Sequence, residues 1–505
     1  MMLTLIIFIP LIAALALLGV SRGNAAMIRV IAVGGAAAVL LLSLVLLATF
    51  DSADPGMQFV ESHPWVPMLN INYQVGVDGI SLLLVVLTAF LSLIALFYSL
   101  NRTKSLRDFL ALMLALEAGT LGVFLALDTV LFYVFWEVML VPTYFLIGIW
   151  GEGRKVYATT KFVLYTLVGS LLMLVAIVSV SVIHYEATHE LSFDIRELVH
   201  TQIPYSSQLW LFFFFFMAFA VKVPVFPLHS WLPHAYVACP IPTLVLLTGV
   251  MSKTGAYGFI RFCLPLFPDA VDKWGLVIGG AAAAGMVYGA WVAIAQKDIK
   301  ALVAWSSISH LGFIVLGIFA LNGQGVEGSI LQMVNHGIIA SALFIIVGLL
   351  EEKLGSRNLG DFRGLRSSMP LLYGAFMLIT LAALGLPGLN GFVGEFLILI
   401  GVWTSHVLAD LAVIYVLMGG LAIVFASIYM LYFFQGTMQE KSENLPASAK
   451  DLSCNEMGML LPACILIIFI GLFPKPFIDW VSPSVNQALT EEKTVKVHEE
   501  SGGGH

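Results

Sequence analysis

Apolar stretches of about 20 residues recur along almost the whole of this chain, and each is long enough to cross the hydrocarbon core of a bilayer as a helix. About fourteen can be marked, near residues 3-20, 28-50, 80-99, 109-127, 129-149, 159-184, 208-228, 241-266, 274-296, 300-321, 327-350, 370-402, 409-435 and 457-479. In lipid every backbone polar group must be satisfied within the protein, so such a chain is confined to a bundle of membrane helices. Hydrophobic residues make up 60% of it and charged residues 11%, which excludes a soluble globular enzyme and any nucleic-acid-binding surface. The expected fold class is an all-α polytopic membrane protein with about 14 transmembrane helices in the lipid bilayer. The first stretch lacks a charged leader and a small-residue cleavage site, so it reads as a retained helix.

The charges are unevenly placed. Of the 24 Lys and Arg residues, 14 fall in loops after odd-numbered stretches, Arg22, Arg29, Arg154, Lys155, Lys353 and Arg357 among them. Six fall on the other side: Arg196, Arg261, Lys273, Lys475, Lys493 and Lys496. Cytoplasmic loops are the ones enriched in Lys and Arg, so both termini are expected on the non-cytoplasmic side. The tail from residue 482 onward is polar, and its last stretch, EEKTVKVHEESGGGH at 491-505, is expected to be disordered.

A few charges interrupt the apolar stretches themselves. They are Glu137 in LFYVFWEVML, Lys222 in FAVKVPVFP, Lys253 in GVMSKTGAYG and Glu395 in GFVGEFLIL. An ionisable residue at the centre of a membrane helix costs roughly 2.5–3.5 kcal/mol on insertion scales, and those retained line water-filled paths or proton relays. Glu137 and Lys222 are a candidate ion pair between helices that can act as a proton switch; the competing reading is a static bridge, but buried pairs stabilise poorly compared with apolar packing. Lys253 has Ser252, Thr254, Gly249 and Gly255 around it, leaving room for water, and lies too far into its stretch to reach the interface easily. His310 and His336 lie on successive helices near hydroxyls and an amide, where two-nitrogen rings can pass a proton; a pair of satisfied core histidines is the alternative. Glu395 can exchange protons or cap a helix start. Glu117 and Asp128 are weaker candidates, and His229 and His234 are expected at the surface.

Two stretches look broken, one at Pro224 and Pro227 and the other at Pro387 within GLPGLNG. Proline removes a helix hydrogen bond, and freed backbone at membrane depth is tolerated only where buried or facing a cavity. A Gly/Pro break beside a charge in each half suggests repeated halves around a central polar path. The four cysteines have no metal-ligand spacing, and no dinucleotide fingerprint or haem motif occurs. No metal and no redox cofactor is expected in this chain.

Several motifs resemble one family along nearly the whole sequence: GVDGISLLL at 76-84, FWEVMLVPTYFLIGIWG at 135-151, TTKFVLYT at 159-166, AVKVPVFPLHSWLP at 220-233, KTGAYGFIRF at 253-262, AQKDIKALVAWSSISHLGF at 295-313 and GLPGLNGFVGEF at 385-396. They are similar to those of the antiporter-like M subunit of respiratory complex I, the NADH-quinone oxidoreductase chain 4 family. The resemblance implies two inverted five-helix repeats, each with a broken helix, and a proton-translocating subunit that carries no cofactor itself. Quinone, iron-sulfur clusters and flavin or ferredoxin then belong to partner subunits, and the neighbours are antiporter-like subunits of the L/F and N/B types. The family's glutamate and lysine pair, central lysine and histidine relay match Glu137, Lys222, Lys253, His310 and His336. The terminal position is glutamate in the M type and matches Glu395.

The implied organisation is N-terminal helices over 1-108, a first repeat over 109-267, a second over 268-436, a C-terminal helix with its preceding loop over 437-481 and the tail over 482-505. One stretch departs from the family pattern, since residues 232-241 read LPHAYVACPI where the family reads close to LPDAHxxAPT. The departure leaves open a specialised paralogue, such as a variant subunit of a carbon-uptake complex of the cyanobacterial thylakoid type with a carbonic-anhydrase-like partner, as one alternative to a bacterial plasma-membrane enzyme. A cation/proton antiporter subunit of the Mrp type and a scaffold whose buried charges fix helix register are the others.

Overall fold

The computed structural model describes residues 1–362, 364–439 and 450–502. Among these, 12 helices are long and apolar enough to cross a membrane. The remaining two sequence stretches also fold, but in pieces: 241-266 alternates short α and π turns, and 370-402 becomes the pair Pro370–Ala383 and Asn390–Trp403. Each of the fourteen stretches therefore has a helical counterpart.

Helix faces sort by what they touch. In Gly323–Leu354 the most apolar 18-residue window is wholly buried and in Leu106–Leu125 and Ile299–Ile318 it is 83% buried, whereas in Ala25–Thr49 it is 28% buried. An apolar helix left open on most of its surface suits lipid contact, and one enclosed all round belongs to the bundle axis. Gly323–Leu354 packs against Ile299–Ile318, Asn390–Trp403 and the 241-266 segment, which places it at the centre. The stretches carrying Lys253, His310 and Glu395 thus all meet the one carrying His336.

Both breaks are real interruptions. The first falls between Tyr205–Lys222 and Leu228–Trp231 and contains Pro224 and Pro227. Carbonyls freed there find donors: Val225 N reaches Ala220 O at 2.8 Å and the Trp231 indole reaches Val221 O at 2.8 Å. The second separates Ala383 from Asn390 around Pro387. Its turn needs Gly385 at φ 75° and Gly388 at φ 91°, a region that side chains rarely enter.

Three features depart from the sequence reading. Residues 58–77 form an antiparallel hairpin, Gln58–Val66 with Ile71–Val77, in a chain expected to be wholly helical. The hairpin is tied to the membrane helices by Asp128, whose carboxylate accepts from Asn72 N at 2.9 Å and from the Val130 and Leu131 amides at the start of Thr129–Trp150. Asp128 is a cap. The tail is also not disordered, because Lys475–Gly502 is a helix. It is anchored by fully buried Val481 and Val485 and by Ser484, which accepts from Gly79 N and donates to Pro55 O, both at 3.0 Å. Residues 503–505, and 440–449 of the loop expected before the last membrane helix, lie outside the described residues. Finally, Arg261 is no loop cation: its side chain is 11% exposed and pairs with Asp78 at 2.6 Å.

Candidate functional site

The segmented stretch 241-266 is the natural place to start, because its irregular winding positions Lys253. Lys253 opens a short α-helical piece, Lys253–Gly258, between π-helical turns at Leu247–Met251 and Phe259–Cys263. Such turns loosen the backbone ladder and recur at functional sites. Here the Thr248 carbonyl accepts from the Lys253 amine and, at 3.2 Å, from the Ser252 hydroxyl. Lys253 is fully buried.

From the amine a row of polar groups runs along the bundle axis. Lys253 Nζ lies 2.7 Å from His336 Nδ1, the His336 and His310 rings are 5.6 Å apart between centroids, and His310 Nδ1 is 2.9 Å from Glu395 Oε1. Gln332 donates to the same carboxylate oxygen at 3.2 Å, and the Tyr429 hydroxyl sits 3.5 Å from His310 Nε2. A charged Lys253 donates to Nδ1 of a neutral His336, which puts that ring's hydrogen on Nε2. His336 Nε2 has no partner, nor does Gln332 Oε1. Both residues line a cavity of about 10 Å³ that His310 and Glu395 also line, about the volume one water centre requires. The cavity has room for one water between the two imidazoles. Sequence reasoning named four members of this row, and the structure brings all four together.

Helix contact geometry explains why Glu395 is served so closely. A Cβ at Gly394 would collide with Gln332, and one at Gly328 would meet the backbone of Ile398. Glycine at these two points lets Asn390–Trp403 lie almost directly on Gly323–Leu354. Gln332 and Tyr429 were not singled out from sequence. Gln332 carried a usable signal, since it sits four residues before His336 and therefore on the same helix face.

The first half is arranged differently. Lys222 ends its helix 2% exposed, with its amine over the Trp136 ring at 5.0 Å and the Phe162 ring at 6.0 Å. Glu137 follows Trp136 on Thr129–Trp150, yet no ion pair within 4.0 Å joins it to Lys222, and its Oε1 has no hydrogen-bond partner. The ion pair expected from sequence is not formed in this structure. Aromatic faces attract the ammonium while leaving it without an acceptor. The two lysines are close in the fold all the same, because a Cβ at Gly255 would meet Phe219 O and Lys222 Cβ.

The unusual 232-241 stretch lies above this junction. His234 is exposed and bonded to Ser230 O at 2.9 Å. Tyr236, by contrast, is fully buried with an unpartnered hydroxyl, and the hydroxyl of Thr248 is unpartnered as well. His229, expected at the surface, is 7% exposed and stacks on Phe226 at 5.4 Å. Glu117 is buried against the interior with both oxygens unpartnered. No cluster of His, Cys, Asp and Glu able to hold a metal occurs among the described residues.

Comparison with known proteins gives the family of this fold. The model of the family described as "NADH:quinone oxidoreductase/Mrp antiporter, TM" matches residues 126–422, more than half of the chain. The chain belongs to this family of antiporter-like membrane subunits. Among its relatives, NADH-quinone oxidoreductase subunit M of Rickettsia conorii is 37% identical over 494 residues, covering 96% of this chain and 98% of that protein. The subunit M of Escherichia coli K12 is 39% identical over 443 residues, 85% of each. Among solved structures, a chain of respiratory complex I from Thermus thermophilus with bound NADH superposes with TM-score 0.87 at 31% identity, covering 97% of this chain and all of that one. A chain of the Mrp complex from Dietzia superposes with TM-score 0.82 at 20% identity, a likeness of fold. The antiporter-like subunit is thus an integral membrane protein of the architecture read from its sequence.

Proposed function

We propose that this chain is a proton-translocating subunit of a membrane-bound quinone oxidoreductase, the counterpart of subunit M in its relatives. The observation that carries this reading is the continuous buried row from Lys253 through His336 and His310 to Glu395. Every member both binds and releases a proton at a defined atom, and the groups lie within hydrogen-bond reach or one water of each other. A static core would be better served by apolar side chains of the same volume.

The chain's own residues supply a path and a trigger. Lys222, resting on Trp136, is drawn toward Glu137 when that carboxylate is charged and returns to the aromatic face when it is neutralised. Its movement changes the field at Lys253, one helix contact away. Lys253 then passes a proton to His336 Nδ1, Nε2 gives one up through the intervening water to His310, and Glu395 takes it and exchanges with the far side. Electron transfer, with its quinone, iron-sulfur and flavin or ferredoxin groups, belongs to partner subunits, and antiporter-like L- and N-type subunits flank this one. Both termini lie on the non-cytoplasmic side, consistent with the bias of Lys and Arg toward the opposite loops.

The test uses the whole complex in native membrane vesicles. Lys222→Ala is expected to abolish this subunit's share of coupled pumping while the complex still assembles, read as a lower proton-to-electron ratio at matched turnover. An unchanged ratio in the assembled variant refutes the proposal.

A further inference from the structure

Lys253 sits near a second water-accessible region that the path above does not use. A pocket of about 280 Å³ opens on the face carrying the hairpin and the 189–204 loop, lined by Asp78, Arg196, His200, Arg261, Ser484 and Gln487 among others. Its inner wall is the Arg261–Asp78 pair, 2.6 Å apart and 11% and 4% exposed. Arg261 also donates through Nε to the Tyr257 hydroxyl at 3.1 Å, with its guanidinium 5.3 Å from the centre of that ring. Tyr257 is one helical turn from Lys253 on the same short α-helical piece. Only about 12 Å of helix rise, eight residues, separates Arg261 from the lysine.

Such proximity is a hazard in a proton pump, because a wire of water and hydroxyls from the pocket to Lys253 would short-circuit the path through Glu395. A proton wire requires each member to accept one proton and donate another. A guanidinium has five donors, no acceptor and does not lose its proton, so it ends any wire that reaches it. Tyr257 is closed in the same way: its oxygen accepts from Arg261, and its hydrogen is given to the Phe124 carbonyl at 3.2 Å, a backbone group that passes nothing on. Asp78 is occupied too, with Oδ1 capping the Ile80 and Ser81 amides at 3.2 and 3.0 Å while Oδ2 holds Arg261.

We infer that Arg261, locked by Asp78 and Tyr257, is a proton stop that seals Lys253 from the water of this pocket and forces exchange with that face through Glu395. The inference rests on the proton-translocating reading of Lys253. Arg261 is an insulating residue: it takes no part in transfer and acts by denying a route.

The test measures passive proton entry into vesicles carrying the whole complex, after an acid pulse and with electron transfer blocked by withholding the donor. Arg261→Gln, which supplies an acceptor, is expected to raise the leak about tenfold, equivalent to ~1.36 kcal/mol of barrier. Arg261→Lys, which keeps a donor-only cation, is expected to stay within about twofold of the unmodified complex, a difference of under ~0.5 kcal/mol. The double variant Arg261→Gln with Lys253→Met is expected to return to the unmodified leak, since the route ends at Lys253. A leak unchanged in assembled Arg261→Gln overturns the inference, and so does a leak that survives removal of Lys253. Should Arg261→Gln fail to assemble, Asp78→Asn keeps the capping oxygen but frees the guanidinium; no rise in leak there is equally fatal. Failure of the pumping reading shows separately, as an unchanged proton-to-electron ratio in Lys253→Met during turnover.

Discussion

The two broken helices carry their charges in opposite surroundings. At the first, Lys222 meets Trp136 and Phe162, with Phe219 and Trp231 filling the neighbourhood, and no side chain hydrogen-bonds its amine to Glu137. At the second, Glu395 accepts from a histidine and an amide, and Asn335 reaches the Asn390 carbonyl at 2.8 Å across the break. An aromatic cage holds a charge loosely and allows it to move, whereas an amide and imidazole lining fixes geometry to a few tenths of an ångström. On the proposed function, the first half responds and the second conducts. Both breaks contain proline, so it is the side chains around each that set its charge apart.

Breaking the conducting half at its junction has the largest expected effect. Lys253→Met removes the first donor and leaves His336 Nδ1 without a partner, so the subunit's contribution to the proton-to-electron ratio should vanish; parallel measurement of electron transfer and acidification checks this. Glu395→Ala comes next, because it leaves the buried His310 and Gln332 groups that bond the carboxylate unsatisfied, at about 1–3 kcal/mol each. Glu395→Gln should retain assembly and lose pumping, and pumping retained in the glutamine variant would mean that the carboxylate only holds helices together. Gly394→Ala drives a methyl into Gln332 and should cost about 1–3 kcal/mol by overpacking. Thermal unfolding of the purified complex together with its pumping ratio reports the effect. The smallest change sharpens the responsive half: Trp136→Leu removes a cation–π contact of about 0.5–2 kcal/mol under Lys222. It should move the amine toward Glu137 and alter the salt or pH dependence of turnover rather than its maximum, and an altered maximum with unaltered dependence would argue against a mobile Lys222.

Much of this contrast was legible in the sequence, and what was missed has a common cause. Hydropathy located the 12 helices long and apolar enough to cross a membrane among the described residues, because a run of some 20 apolar residues is a local signal. Pro224, Pro227 and Pro387 marked both breaks for the same reason. Lys253, His310, His336 and Glu395 stood out as costly residues, and the structure aligns them. Gln332 and Tyr429 escaped notice because uncharged polar residues in membrane helices are common and only a neighbour gives them meaning. Arg261 was counted as a loop cation because its partner, Asp78, lies 183 residues away. The hairpin escaped because its alternation is short and surrounded by much stronger helical signals. The absence of a Lys222–Glu137 ion pair is a matter of a few ångströms, which no periodicity encodes.

The clasp made by Ser484 has a consequence for biogenesis. This one hydroxyl joins Pro55 at the edge of the hairpin to Gly79 at the start of the third membrane helix, partners 429 and 405 residues earlier in the chain. At roughly 5–20 residues per second of synthesis, the early helices wait about 20–80 s for the segment that fastens them. During that interval the hairpin and the inner end of Gly79–Ser99 lack their lid, and the pocket walled by Arg261 has no roof. The Arg261–Asp78 pair is complete once residue 261 is made, so the late clasp fastens the hairpin and the start of Gly79–Ser99 rather than the proton stop.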